Sequence, residues 1–215
     1  MPAPHGGKLV DRVLPTKQRE RALREAHELP QLAVTEDLAR DTENLATGVF
    51  SPLEGFLCRS DYESVLLEKR LSNDLVWTLP LVLDAAPNEL GGAKEGDTIA
   101  IIDPQKIPIA LAKLEEVYRY DKRKLAQEVY GTTDPNHPGV TKTLAMKELL
   151  VGGKISLIQQ SFDEFQRFRL RPDETRILFR EKSWRSVVGF QTRNIPHIGH
   201  EYVQKTALTF VDGLF

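Results

Sequence analysis

Val187-Val-Gly-Phe-Gln-Thr-Arg-Asn-Ile-Pro-His-Ile-Gly-His200 is the stretch on which the fold turns. Its apolar start, Val187–Phe190, is the core of a strand predicted over Arg185–Gln191. Residues 194–208 then read as a loop and a helix, and Val211–Phe215 opens another strand. Strand, glycine-containing loop, helix and strand form the beginning of a βαβ unit, which implies a parallel sheet. Two strands make no stable parallel sheet alone, so this part of the chain reads as cut off. Just upstream, Pro172 near the first helical position and acids in the first turn predict a helix over Pro172–Lys182.

The segment from Gln191 to His200 is also the densest polar cluster in the chain. It lies between a strand end and a helix start, where open α/β sheets take ligands and unpaired N–H groups favour anions. His197 and His200 are three apart, so on a first helical turn both rings share one side. Gly199 leaves room for a ligand to approach the backbone, and Pro196 is tolerated where its missing N–H is no loss. Gln191, Thr192, Arg193 and Asn194 add one cation and several neutral donors. These residue types suit a phosphate-like anion. A histidine pair can instead be structural, or hold a metal, but cysteine and carboxylate partners at metal spacing are absent nearby.

Toward the N-terminus the pattern is less regular. Residues 1 to about 30 are polar and Pro/Gly-rich up to an exposed helix over Lys17–Glu28, and Leu32–Val34 is a short strand. Thr35 caps a helix over Glu36–Ala46 that Gly48 ends. Ser60 and Glu63 suggest a capping box for a helix over Asp61–Lys69, and Leu75–Leu83 alternates like a half-buried strand. Thr98–Ile102 and Ile107–Leu114 flank the turn Asp103–Lys106 as a hairpin, with a further strand at Glu116–Tyr120. A helix at Asp121–Tyr130 leads into a loop from Gly131 to Gly139. A helix over Thr141–Leu150 is then broken by Gly152-Gly153, and Lys154–Gln159 is a strand. The class is mixed α/β, without repeats.

Composition narrows the function. The 215 residues carry 29 Lys and Arg against 31 Asp and Glu, a net charge of −2, so no overall basic field draws nucleic acid or an anionic membrane. Apolar runs such as Leu79–Leu83 fall far short of a membrane span, and the first residues lack the apolar core of a signal peptide. Cys58 stands alone, which excludes an internal disulfide or a multi-cysteine zinc site. The expectation is a soluble, cytoplasmic protein.

Pro196-His-Ile-Gly-His200 resembles both the nucleotidyl-transferase superfamily and the class I aminoacyl-tRNA synthetases. The preceding Gln191-Thr-Arg-Asn194, with Glu201-Tyr202 and Val211-Asp-Gly-Leu-Phe215 after it, is similar to the ATP sulfurylase (sulfate adenylyltransferase) family. Two more segments resemble that family: Gly48-Val-Phe-Ser-Pro-Leu-Glu-Gly-Phe56 and Tyr130-Gly-Thr-Thr-Asp-Pro-Asn-His-Pro-Gly139. The resemblance thus extends over nearly the whole chain.

It implies a PUA-like α+β domain over residues 1–165, followed over 166–215 by the start of a Rossmann-like catalytic domain. It also implies the reaction of MgATP with sulfate to give adenosine 5′-phosphosulfate and pyrophosphate, with no nucleic acid involved. By the family pattern Gln191 and Arg193 would bind sulfate. ATP would meet Gln191, Arg193, Asn194, His197, Gly199 and His200, with Thr192, Arg193, Asn194, His197 and His200 serving catalysis. The family's later Gly-Arg-Asp-His segment does not occur, which implies a C-terminally truncated chain without activity alone. Zinc, held by later cysteines in some members, and homo-oligomers at full length are further family properties. A synthetase fragment would instead need a Lys-Met-Ser-Lys-Ser type loop downstream, and a PUA-like RNA-binding module a basic stripe.

Other features read as structural. The loops Ser51–Phe56 and Thr132–His137 carry no chemistry of their own, and Arg167, Arg169 and Arg171 with Phe165 and Phe168 form a solvated face. His5 and His27 are expected exposed, Cys58 a small buried residue, and Trp77 and Trp184 part of the core.

Overall fold

In the computed structural model, residues 3–160 and 164–215 are described. Met1 and Pro2 of the polar start, and residues 161–163 ahead of the expected domain boundary, lie outside them. Two compact units are present, Pro4–Gln166 and Arg167–Phe215.

The first unit is built on a curled sheet. Its elements are α1 (Thr16–Glu28), β1 (Gln31–Ala33), α2 (Glu36–Ala46), β2 (Gly55–Phe56), α3 (Arg59–Glu68), β3 (Leu83–Ala85), β4 (Thr98–Ile102), β5 (Pro108–Lys113), β6 (Glu116–Arg119), α4 (Lys122–Tyr130), α5 (Pro138–Ala145) and β7 (Leu149–Leu157). β1 runs parallel to β4, and the other pairings between these strands are antiparallel. The nine residues of β7 serve four partners: β3 and β6 along Leu149–Gly152, then β2 and β5 along Gly153–Leu157. Leu32, Ile99, Ile101, Ile109, Leu150, Ile155 and Leu157 are fully buried in the core around it. Each such side chain stabilises the fold by roughly 1.5–3 kcal/mol.

Local chemistry sets the helix starts. Thr35 Oγ1 accepts from the Leu38 N–H at 3.3 Å, and Glu36 and Asp37 meet the positive end of α2. Asp121 accepts from the Arg123 and Lys124 amides at 2.8 and 3.1 Å, and Gly131, with φ +71°, closes α4.

Three expectations in this unit are corrected. α3 starts at Arg59, and no Ser60–Glu63 box forms, because the Arg59 N–H donates at 2.8 Å to a carboxylate from β6, Glu116. Over Leu75–Leu83 only the last residue enters a strand. Pro80 offers no N–H, and the Trp77 indole donates to the Leu79 carbonyl at 2.7 Å within the segment. The helix expected over Thr141–Leu150 lies at Pro138–Ala145, and β7 runs straight through Gly152-Gly153. Those glycines are not breakers. A Cβ on Gly152 would lie 2.6 Å from the Cys58 Cα, and one on Gly153 would lie 2.0 Å from the Lys113 carbonyl oxygen.

The second unit holds α6 (Pro172–Glu181), β8 (Val187–Val188), α7 (Ile198–Ala207) and β9 (Gly213–Leu214). β8 and β9 pair in parallel with α7 between them, the βαβ start expected from the sequence, although both strands are shorter than predicted. Gly213 is the one buried residue among the described residues of this unit. The Trp184 ring lies over it, where a Cβ would stand 2.2 Å from the indole, and Phe179 packs against both Trp184 and Phe215. Trp77 and Trp184 are half-buried rather than core. Cys58 is also half-buried, and burial first, then Glu115 and Glu116, pushes its thiol up to about 11. Among the described residues no helix is long and apolar enough to cross a membrane.

Candidate functional site

β8 delivers the chain to an open loop, and α7 begins eight residues after Phe190. His197 is the N-cap of α7, in extended backbone, and its ring turns back so that Nδ1 accepts from the Gly199 N–H at 3.1 Å. His200 completes the reciprocal half: its Nδ1 accepts from the His197 N–H at 3.2 Å. Two histidines thus fill the places that a Ser/Thr and a Glu take in a capping box. Their ring centroids are 4.0 Å apart.

These bonds make Nδ1 the acceptor nitrogen of both rings. A ring nitrogen that accepts from a backbone N–H carries no proton, so each Nδ1 is the bare nitrogen and each Nε2 bears the hydrogen. The Nε2–H of His200 then donates to Thr192 Oγ1 at 3.4 Å. Thr192 Oγ1 also accepts from the Asn194 N–H at 3.0 Å, which folds the loop back toward the helix. Phe190 stands edge-on to the His200 ring at 5.9 Å.

Thr192, Asn194, His197, Gly199 and His200 are therefore one bonded cluster. Gln191 and Arg193 are exposed beside it and make no hydrogen bond or ion pair among the described residues. His197 and Gly199 are exposed and His200 half-buried, so the cluster is an open surface. Gly199 has a role that the sequence reading missed. A Cβ there would lie 2.9 Å from His197 Cε1, so the missing side chain makes room for the capping ring. Phe190 was missed too; an aromatic just before the polar run was the available signal. Asp212, which the sequence marks only as part of the Val211–Phe215 motif, accepts on its carboxylate from the Arg185 and Ser186 amides at 2.8 Å each and from Ser186 Oγ at 3.0 Å. That fastens the start of β8 to the start of β9.

The two other motif loops are structural. Ser51 Oγ accepts from the Val10 N–H at 2.9 Å and donates to the Gly48 carbonyl at 2.7 Å. His137 caps α5 through Nδ1, with its ring 4.9 Å from that of Tyr130. Among the described residues no three His, Cys, Asp or Glu side chains are grouped to hold a metal ion.

Comparison with known proteins follows the division of the chain. The family described as PUA-like domain matches residues 2–160, and the ATP-sulfurylase family matches residues 166–215. The chain is 56% identical over 212 residues to the sulfate adenylyltransferase of Hyperthermus butylicus, covering 99% of this chain and 54% of that one. It is 54% identical over 215 residues to that of Staphylothermus marinus, covering 100% and 56%. The chain spans about half the length of the curated relatives it matches. Among solved structures, the hexameric APS kinase from Thiobacillus denitrificans is similar with a TM-score of 0.74 and 25% identity, over 97% of this chain and 38% of that one.

Proposed function

We infer for this chain, which belongs to the PUA-like domain family over residues 2–160 and matches the ATP-sulfurylase family over 166–215, the anion-handling part of a sulfate adenylyltransferase. The reaction is transfer of the adenylyl group of ATP to sulfate. A sulfate oxygen bonds to the α-phosphorus, the bond from that phosphorus to the pyrophosphate oxygen breaks, and adenosine 5′-phosphosulfate and pyrophosphate leave. Sulfate is already deprotonated, so no general base is required. Positioning of two anions and neutralisation of developing charge carry the catalysis.

The observation that supports this reading best is the paired histidine cap. Among the described residues it leaves the Nε2–H of His197 unengaged, with that of His200 on Thr192 Oγ1, at the positive end of a helix that follows a parallel strand. His197 and His200 would meet ATP phosphates, and Arg193 with Gln191 would hold sulfate, Arg193 reaching the α-phosphate as well. Thr192 and Asn194 set the loop, and Gly199 admits the His197 ring. Mg2+ would arrive bound to the ATP phosphates. Residues 1–165 would form the PUA-like domain and 166–215 the start of the catalytic one. A cytoplasmic homo-oligomer is the setting proposed for the full-length enzyme.

Arg193→Ala tests this assignment. In a chain extended to the length of its relatives, ATP–pyrophosphate exchange dependent on sulfate should be abolished. Thermal stability should stay within about 0.5 kcal/mol, because the side chain is exposed. Retained exchange would remove the assignment. The 215-residue chain alone should show no appreciable exchange.

A further inference from the structure

Two cavities of about 630 and 520 Å3 open in the Pro4–Gln166 unit. They adjoin along Asp41, Pro80, Leu81, Val82 and Met146, which line both. The larger is walled by aromatic rings, among them Phe50, Trp77 and Tyr130. Trp77 is held from several sides: its indole N–H is taken by the Leu79 carbonyl at 2.7 Å, Phe50 meets it edge-on at 6.5 Å, and the His5 ring lies 6.1 Å away. Volume and lining suit a small organic molecule, which such pockets bind through apolar walls and a few polar groups.

Asp41 supplies the chemical selection. It is half-buried on α2 at the seam between the cavities and makes no hydrogen bond or ion pair among the described residues. The neighbouring cations are engaged elsewhere: Arg40 with Glu36 at 3.1 Å, Lys142 with Asp37 at 3.3 Å and Lys147 with Glu89 at 2.8 Å. Burial first, then Asp37, raises the Asp41 carboxyl above its ordinary value, against a smaller lowering by Arg40. A neutral ligand would bury this group further without a partner, and an anion would be repelled. Among the described residues no three His, Cys, Asp or Glu side chains are grouped there to hold a metal ion.

We propose that the groove binds a small amphipathic amine, its ammonium group at Asp41 and its apolar tail in the cavity walled by Trp77 and Tyr130. The groove uses none of the residues assigned to adenylyl transfer.

Three probes that share a phenylethyl group test it on the 215-residue chain: 2-phenylethylamine, 2-phenylethanol and 3-phenylpropanoate, followed by NMR at the indole N–H of Trp77 with that of Trp184 as internal control. The amine should shift the Trp77 signal saturably with a dissociation constant at or below about 1 mM, leaving Trp184 still. The alcohol should bind about tenfold more weakly, and the carboxylate should not bind. Asp41→Asn should reduce amine affinity to that of the alcohol without changing the melting temperature. Equal binding of amine and alcohol, unchanged amine binding by Asp41→Asn, or no saturable Trp77 shift would each overturn the proposal. The probe series decides the matter even if the variant fails to fold.

Discussion

His197 and His200 hold each other in place: the amide of the first donates to Nδ1 of the second at 3.2 Å, and the rings stand 4.0 Å apart. The pair is the start of α7 and, in the function proposed above, also part of the anion site. A substitution here therefore acts on both stability and binding, and the two effects can be separated.

His197→Asn is the variant that separates them. Asparagine is among the best N-cap residues, so α7 should survive with its stability nearly intact, while the Nε2–H donor is gone. His197→Ala should lose the cap as well, at about 1 kcal/mol. Thermal denaturation with a parallel pyrophosphate titration reads both quantities. Weakened binding in the two variants alike, with destabilisation only in the alanine form, is the expected pattern.

Gly199→Ala should weaken binding with little net change in stability. Alanine favours the first turn of a helix by up to about 1 kcal/mol over glycine. Its methyl would stand 2.9 Å from the His197 ring, which must swing off the Gly199 amide. Loss of that cap costs about 1 kcal/mol and offsets the gain, so a nearly unchanged melting temperature together with weaker pyrophosphate binding is expected. Unchanged binding would show that the ring position does not matter.

Gly153→Ala should be severe. At φ +147° and with a Cβ 2.0 Å from the Lys113 carbonyl oxygen, neither the backbone nor the neighbour can yield cheaply. A loss of about 3 kcal/mol or more is expected in denaturant unfolding. Gly92→Ala is the comparison: its φ is also positive but its Cβ meets nothing within 4 Å, so the cost should be much smaller.

Acid should loosen the β8–β9 junction through Asp212. Hydrogen bonds from Ser186 and Arg185 hold its carboxyl below the ordinary 3.8. A carboxyl depressed in the folded state stabilises that state above its unfolded value, and the contribution fades as pH falls from about 3.8 through the folded value. Near-UV circular dichroism of Trp184 should report a loss in that range. In Asp212→Asn the step should be missing.

What the sequence made legible was local. Thr35 and Asp121 cap α2 and α4 by contacts within three residues, and both helices lie where expected. The βαβ start and the site's position at the end of its first strand followed from apolar runs and one glycine loop. The misses came from distant partners. Glu116, 57 residues from Arg59, starts α3, and Gly152-Gly153 makes sense only once Cys58 and Lys113 crowd the strand from outside. Within the site, the residue types were visible in sequence. That the histidines bond to the backbone through Nδ1, and that Gly199 serves His197, needed the geometry of the turn.

The late position of β7 also bears on how the chain emerges during synthesis. β2, β3 and β6 pair with β7 and with no other strand among the described residues, whereas β1, β4 and β5 can join one another first. A nascent polypeptide stalled before Leu149 would carry three orphaned edges open to neighbouring polypeptides. Once Leu157 clears the ribosomal tunnel, one strand closes all three.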